Sequence, residues 1–226
     1  MEVTGTRCDA GGMSDDATLV AEGIRVRQGH RDLLPPTSAR VEVGQVTIAV
    51  GTEVHSLTAL ALALAGRLPL SAGTVRLGGD PGAAALREAV ALVDVPGVSA
   101  PEPGVPVRTV VAEELAFARR RTGFRVAQRW LDEHDLGTHA RDRIEDLDPD
   151  ARLTVLTELA RHRAGVSHLV LGLPERHGGP AEEWLARAEA LAGDGFGVLV
   201  TVTRAVANEH DATCLVGGAV EPGAVA

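Results

Sequence analysis

The stretch GTEVHSLT, residues 51–58, decides how the chain is read. It lies between the apolar run VTIAV (46–50) and the segment ALALALAG (59–66). ALALALA alternates with period two, as a strand would, but Ala and Leu have the highest helix propensities and Gly66 supplies a stop. A helix is therefore predicted from about Thr58 to Ala65. Strand, short loop and helix form the frame of the phosphate-binding pattern GxxxxGK[ST]. There, backbone N–H groups cradle phosphate, lysine neutralises it and the hydroxyl ligates Mg²⁺. Gly51 and Thr58 fit that pattern, while Ser56 replaces the second glycine and Leu57 replaces the lysine. Thr52 and Val54 fill the loop, Glu53 adds a negative charge, and His55 reads as a surface histidine. Nothing else supplies the missing ammonium, because all 22 basic side chains are arginine. As a strand-to-helix turn the stretch is adequate; as a phosphate site it is poor.

The wider composition excludes several classes. A chain of 226 residues with 45% hydrophobic and 23% charged residues is ordinary for a globular protein. Its net charge of −9 gives no electrostatic footprint for nucleic acid or anionic lipid. Cys8 and Cys214 are far apart and show no CxxC spacing, so neither a disulfide framework nor a zinc site is indicated, and a reducing cytoplasm is predicted. The longest apolar run, Leu57 to Ala65, falls short of the roughly 20 residues that span a bilayer. The chain is therefore predicted not to be integral to the membrane. Residues 1–12, MEVTGTRCDAGG, carry no signal-peptide core and are expected to be a disordered extension or to precede a start at Met13. Residues 13–226 are expected to form one domain.

Along the chain, β-rich runs occur at TLVAEGIRV (18–26), QVTIAV (45–50), GTVRL (73–77), AVALVD (89–94), VSHLVLGL (166–173) and FGVLVTVT (196–203). Helix-like segments separate them, which is the alternation of an α/β fold. The last two runs are almost continuously apolar, as strands buried on both faces of a parallel sheet are. A Pro/Gly-rich connector (97–107) leads into VRTVVAEELAFARRR (107–121) and VAQRWLDEHDLG (126–137), whose apolar residues recur at three and four. A helical subdomain over about 100–162 is predicted inside the α/β frame. Glu133-His134-Asp135, Glu209-His210-Asp211, His162 and His168 are read as solvated helix ends or loops, because adjacent residues share no face and no metal spacing recurs. AEEWLARAEALAG (181–193) reads as an amphipathic helix burying Trp184, Leu185, Ala188 and Leu191.

Several of these segments together carry a resemblance to the nucleotide-binding subunits of ABC transporters, over roughly residues 18–224. Residues 24–66 resemble that family's opening strands, turn, phosphate loop and following LAG; LPLSAGTVRLGG (68–79) resembles its next strand. AVALVDV (89–95) resembles the strand entering the Q-loop, DLGTHARDRIEDLDPDAR (135–152) the approach to the signature motif, and HLVLGLPER (168–176) the Walker B strand and proline. GVLVTVTRAVANEHDATCLVGGAVEPG (197–223) resembles the H-loop strand and closing hairpin. The resemblance implies a P-loop NTPase-like cassette: a mainly parallel sheet flanked by helices, with an antiparallel β segment and an inserted helical subdomain. It implies ATP and Mg²⁺ as ligands, bound at Gly51, Thr52, Glu53, Val54, His55, Ser56, Leu57 and Thr58. It further implies a membrane permease or a second ATP-binding subunit as partner, at the inner face of the membrane.

The residues that do that family's chemistry are absent. Gln28, with His30 nearby, stands for the aromatic that stacks on adenine, and Val54 for a residue that is usually glycine. Gly172 stands for the Walker B carboxylate, Leu173 for the catalytic glutamate, Val95 near the Q-loop glutamine and Arg204 for the H-loop histidine. LDPDA (147–151) replaces the signature LSGGQ with two carboxylates and a proline. The expectation is a degenerate pseudo-ATPase with no catalytic residues and no resident metal, structural or regulatory in a transport system, the alternative being a soluble interaction module.

Overall fold

The computed structural model describes residues 18–80, 82–207 and 213–217. The stretch 1–12 and the triplet Glu209-His210-Asp211 lie outside them. An antiparallel sheet opens the chain, in the order β2–β1–β4, from β1 (Leu19–Gln28), β2 (Arg31–Val41) and β4 (Ala72–Leu77). In β1 the two-residue alternation buries Leu19 and Ala21, slips at Gly23 with φ 55°, and resumes with Ile24 and Val26 inside. The glycine absorbs the slip, which returns the apolar face to the core. β2 was not among the strand-like runs because Pro35 and Pro36 interrupt it. It lies at the edge of its sheet, where a missing N–H breaks no ladder.

The second sheet is parallel throughout, in the order β5–β6–β7–β3–β8. Its strands are β3 (Val46–Gly51), β5 (Val90–Val93), β6 (His168–Gly172), β7 (Gly197–Thr203) and β8 (Cys214–Leu215). Helices α1 (Val54–Leu64) and α2 (Ala83–Ala89) precede β5. Between β5 and β6 come α3 (Val107–Phe117), α4 (Phe124–Glu133) and α5 (Pro149–Arg161). α6 (Ala181–Gly193) joins β6 to β7, and a short α7 (Arg204–Ala207) follows β7.

Side-chain alternation divides the parallel sheet between two cores. Ile48, Val50, Leu169, Leu171, Val198 and Val200 face α3 to α6, packing with Val111, Leu131, Val155, Ala188 and Leu191. Ala49, Val170 and Leu199 face the other way, onto Leu60 and Leu64 of α1 and the antiparallel strands. Both faces are covered, which accounts for the unbroken apolar runs. α6 buries Trp184, Ala188 and Leu191 as its spacing predicts, with Leu185 packed beside them.

The histidines correct the sequence reading. His168 is not solvated: it is the first residue of β6 and wholly buried. Its Nε2 lies 3.3 Å from the Val41 carbonyl, and its Nδ1 lies 2.9 Å from Ser167 Oγ. The carbonyl can only accept, so Nε2 carries the proton and Nδ1 accepts from the serine. His134 stacks on Trp130 with ring centroids 3.9 Å apart and its Nδ1 is 2.7 Å from the Trp130 carbonyl. His162 is exposed, its Nδ1 2.6 Å from the Glu158 carbonyl. Among the described residues no group of His, Cys, Asp or Glu could hold a metal ion.

Burial lowers the His168 pKa below its ordinary 6.5, although the Val41 hydrogen bond opposes the shift. The unfolded chain therefore takes up a proton first, and stability is lost as pH falls below the unfolded value. Urea titrations between pH 7.5 and 5 are expected to show a falling midpoint, and His168→Asn is expected to flatten that slope whatever its effect at pH 7.5. An unchanged slope in the variant would assign the acid sensitivity elsewhere.

Candidate functional site

The loop after β3 is shorter than its sequence suggests. The structure moves the start of α1 four residues ahead of Thr58, to Val54, and leaves Thr52 and Glu53 as the only residues between strand and helix. Glu53 is the N-cap residue, extended at φ −117° and ψ 127°, and its carbonyl accepts from Ser56 N at 3.1 Å and Leu57 N at 3.2 Å. The two amides that a phosphate loop would turn toward its ligand are thus committed to the first helical turn. Ala and Leu extend helix readily, and none of Val54, His55 and Ser56 has the backbone freedom of glycine to resist it.

Side chains complete the change. Leu57, in the lysine position, is fully buried. A Cβ on Gly51 would meet Leu57 Cδ2 at 2.8 Å, so the isobutyl group fills the space beside the first glycine. Ser56 is buried and Thr58 partly so, while Thr52, Glu53, Val54 and His55 face solvent. Glu53 Oε2 and His55 Nε2 pair at 2.6 Å on that surface. The outer face of the loop is therefore a carboxylate, an isopropyl group and an imidazole.

At the end of β6 the carboxylate position is closed sterically. A Cβ on Gly172 would lie 2.6 Å from Val95 Cα and 3.0 Å from the Asp94 carbonyl. Leu173 follows in the left-handed region at φ 54°, buried, its N–H donating to the Thr201 carbonyl at 3.0 Å. Glu175 Oε1 accepts from Thr203 N at 2.8 Å, and its Oε2 is buried without a partner among the described residues. Gln28, His30 and Arg204 are exposed.

The signature-like LDPDA is a helix start. Asp148 is the N-cap of α5, its Oδ1 accepting from Ala151 N at 2.9 Å, and Pro149 opens the helix where a missing N–H costs nothing. Capping occupies one carboxylate; Asp150 stays exposed.

The group that organises this edge has no local signal in the sequence. Asp94, one residue past β5 and at φ 53°, is buried. Arg152 of α5 donates to it from Nε at 3.0 Å and Nη2 at 2.7 Å, and Arg176 from Nη2 at 2.7 Å. His177 Nε2 lies 2.8 Å from Asp94 Oδ2 and 2.9 Å from Arg176 Nε. Only a protonated Nε2 is attractive to a carboxylate at that distance, so His177 donates to Asp94 and does not accept from Arg176. Burial pushes the Asp94 carboxyl up, but hydrogen bonds from His177 and Arg152 and the charges of Arg152 and Arg176 outweigh it and hold the pKa at about 2. The partners are 58, 82 and 83 residues away, which is why no local pattern announced them.

Asp94→Asn removes the charge that compensates buried Arg152 and is expected to cost about 3–5 kcal/mol in urea unfolding at pH 7. Because the folded pKa is depressed, the wild-type stabilisation is present above pH 3.8 and is lost as pH falls toward 2, so an acid titration of wild type against variant should converge there. Gly172→Asp is expected to lower the melting midpoint without gaining Mg²⁺, since the added side chain collides with backbone. A variant as stable as wild type would show that segment 94–95 yields.

No protein-family model matches the chain, and no curated protein matches it by sequence. Many solved structures are similar in fold, among them three at 16% identity each. One, a nucleotide-free ATP-binding cassette from an ABC transporter, has a TM-score of 0.63 and covers 87% of this chain and 85% of its own. The second, an ATP-binding subunit of an ABC transporter, has 0.59 with 85% and 82% covered, and the third, another ABC transporter ATP-binding cassette, has 0.64 with 83% and 82%. The parallel sheet with its flanking helices and the added antiparallel sheet are, in this chain, the fold of an ABC transporter ATP-binding cassette.

Proposed function

We propose that this chain is a pseudo-ATPase cassette: a structural or regulatory subunit of an ABC transport system that keeps the cassette fold and has lost nucleotide chemistry. The observation that carries this reading is the closure of the two places where charge would meet Mg-nucleotide. Leu57 fills the space beside Gly51, and Val95 backbone fills the space beside Gly172. Neither is an open cradle lacking one side chain. A buried ammonium at position 57 or a carboxylate at 172 would meet desolvation and steric cost before it met a ligand. The Asp94 carboxylate is already compensated internally by Arg152, Arg176 and His177, so it needs no cation from a ligand.

No helix among the described residues is long and apolar enough to cross a membrane. Partnership with a membrane permease or a second ATP-binding subunit would put the chain at the cytoplasmic face. Asp148 and Asp150 would face a partner's nucleotide in the head-to-tail pairing that the resemblance implies. A carboxylate about 5 Å from a phosphate charge costs about 3 kcal/mol at an effective dielectric near 20, which opposes ATP-driven closure.

Calorimetry with Mg-ATP is expected to give no binding at sub-millimolar concentration, and the chain is expected to melt cooperatively without nucleotide. Leu57→Lys is expected to lower the melting midpoint and gain no ATP affinity. Size-exclusion chromatography with light scattering should show no ATP-dependent pairing with itself or with a competent cassette, whereas affinity capture from native membranes should recover a permease. A micromolar dissociation constant for Mg-ATP would sink the pseudo-ATPase reading; a cytosolic monomer that recovers no membrane protein would detach it from transport.

A further inference from the structure

The opposite edge of the parallel sheet carries a second feature. All five strands run the same way, so Gly51, Asp94 and Gly172 lie at their C-terminal edge, whereas Val90 and the turn before His168 lie at the N-terminal edge. At this N-terminal edge a cleft of about 450 Å³ opens between the ends of α2, α3 and α5, lined by Arg67, Arg87, Arg119 and Arg163 against the single acid Glu88. Such a concentration is out of keeping with a chain of net charge −9.

Two of the four guanidinium groups are held in place by backbone. Arg67 donates from Nη1 to the Val90 carbonyl at 3.2 Å and from Nη2 to the Arg87 carbonyl at 3.3 Å. Arg87 returns a bond from Nη1 to the Gly66 carbonyl at 3.0 Å, so the two segments interlock. Neutral carbonyls orient these side chains without cancelling their charge. Among the described residues, no carboxylate pairs with Arg67, Arg87 or Arg119. Arg163 is paired with Glu114 through Nη2, yet its Nε is buried without a partner among the described residues. Burial, then the neighbouring charges of Arg163 and Arg87, lower the Arg67 pKa.

Like charges held together by their own backbone contacts cost stability unless an anion relieves them. A planar guanidinium has five donors in a fork that matches phosphate or carboxylate oxygens, and each arginine here retains donors after its carbonyl bonds. Counting Glu114 as well, four arginines face two acids, an excess that suits a dianion. The volume lies within the roughly 300–1,000 Å³ of small-molecule sites. Phe117, 75% exposed, adds an apolar wall for the organic part of a ligand. We propose that the cleft bounded by Arg67, Arg87, Arg119 and Arg163 binds a small phosphorylated compound carrying at least two negative charges, a phosphomonoester or diphosphate, at a site separate from the loop 51–58.

Inorganic pyrophosphate is the probe, titrated into the full chain by calorimetry at constant ionic strength. Binding is expected, with amide shift changes in nuclear magnetic resonance spectra confined to residues 66–67, 86–91, 117–119 and 163–166. Arg87→Gln and Arg119→Gln replace exposed side chains, and each is expected to weaken binding about tenfold; Arg119→Gln, which breaks no side-chain hydrogen bond among the described residues, is expected to leave the melt of the free protein nearly unchanged. Should one variant fold poorly, the other carries the test. Shift changes centred on 51–58 would overturn the proposal and the pseudo-ATPase reading together. Absence of binding at millimolar probe, affinity unaltered in both variants, or equal affinity for succinate would overturn the proposal alone.

Discussion

The arrangement of the sheet's C-terminal edge depends on one buried carboxylate. Asp94 joins the end of β5 to the start of α5 through Arg152 and to the turn after β6 through Arg176 and His177. A desolvated carboxylate without partners would be among the costliest groups a protein can hold, and a desolvated guanidinium only slightly less so. Each is therefore tolerated only while the other is present, and the three segments keep their places together. Arg152 extends the connection by donating to the Ile144 carbonyl at 3.0 Å, which fixes the turn leading into α5.

That internal compensation is consistent with apolar residues and glycine at the neighbouring positions 57, 172 and 173. Buried ions are stable only as sets, and replacing a set with packed apolar groups is often neutral or favourable. Leu57 and Leu173 are buried, and Gly172 lets the chain after β5 approach to backbone contact. The result is an edge in which one ionic group is complete and Leu57 and Val95 pack against Gly51 and Gly172. Packing of that kind gains dispersion energy.

Much of the frame was legible because its signals are local or periodic. The apolar runs of β3, β6 and β7 report a sheet covered on both faces, and the three-and-four spacing in α6 names the face that it buries. The identities of Leu57, Gly172 and Leu173 are likewise plain in the sequence at any geometry. Less visible was how far α1 would extend: only the Glu53 carbonyl, free to accept two amides, shows that Val54 to Leu57 wind into helix. The Asp94 group draws on residues remote from one another in sequence, and β2 hides behind two prolines that are harmful only in a central strand. His168 misled because a histidine next to a turn reads as solvated, whereas hydrogen bonds at both ring nitrogens let it sit in the core.

The close approach of Val95 to Gly172 also sets what a change at position 172 entails. A side chain lost from an open cleft can be regained by a single substitution, because its space remains. Here the space is occupied by main chain. A β-carbon at position 172 therefore requires the segment after β5 to move, so a substitution there couples the end of β6 to the end of β5 and reports how firmly the two are held together.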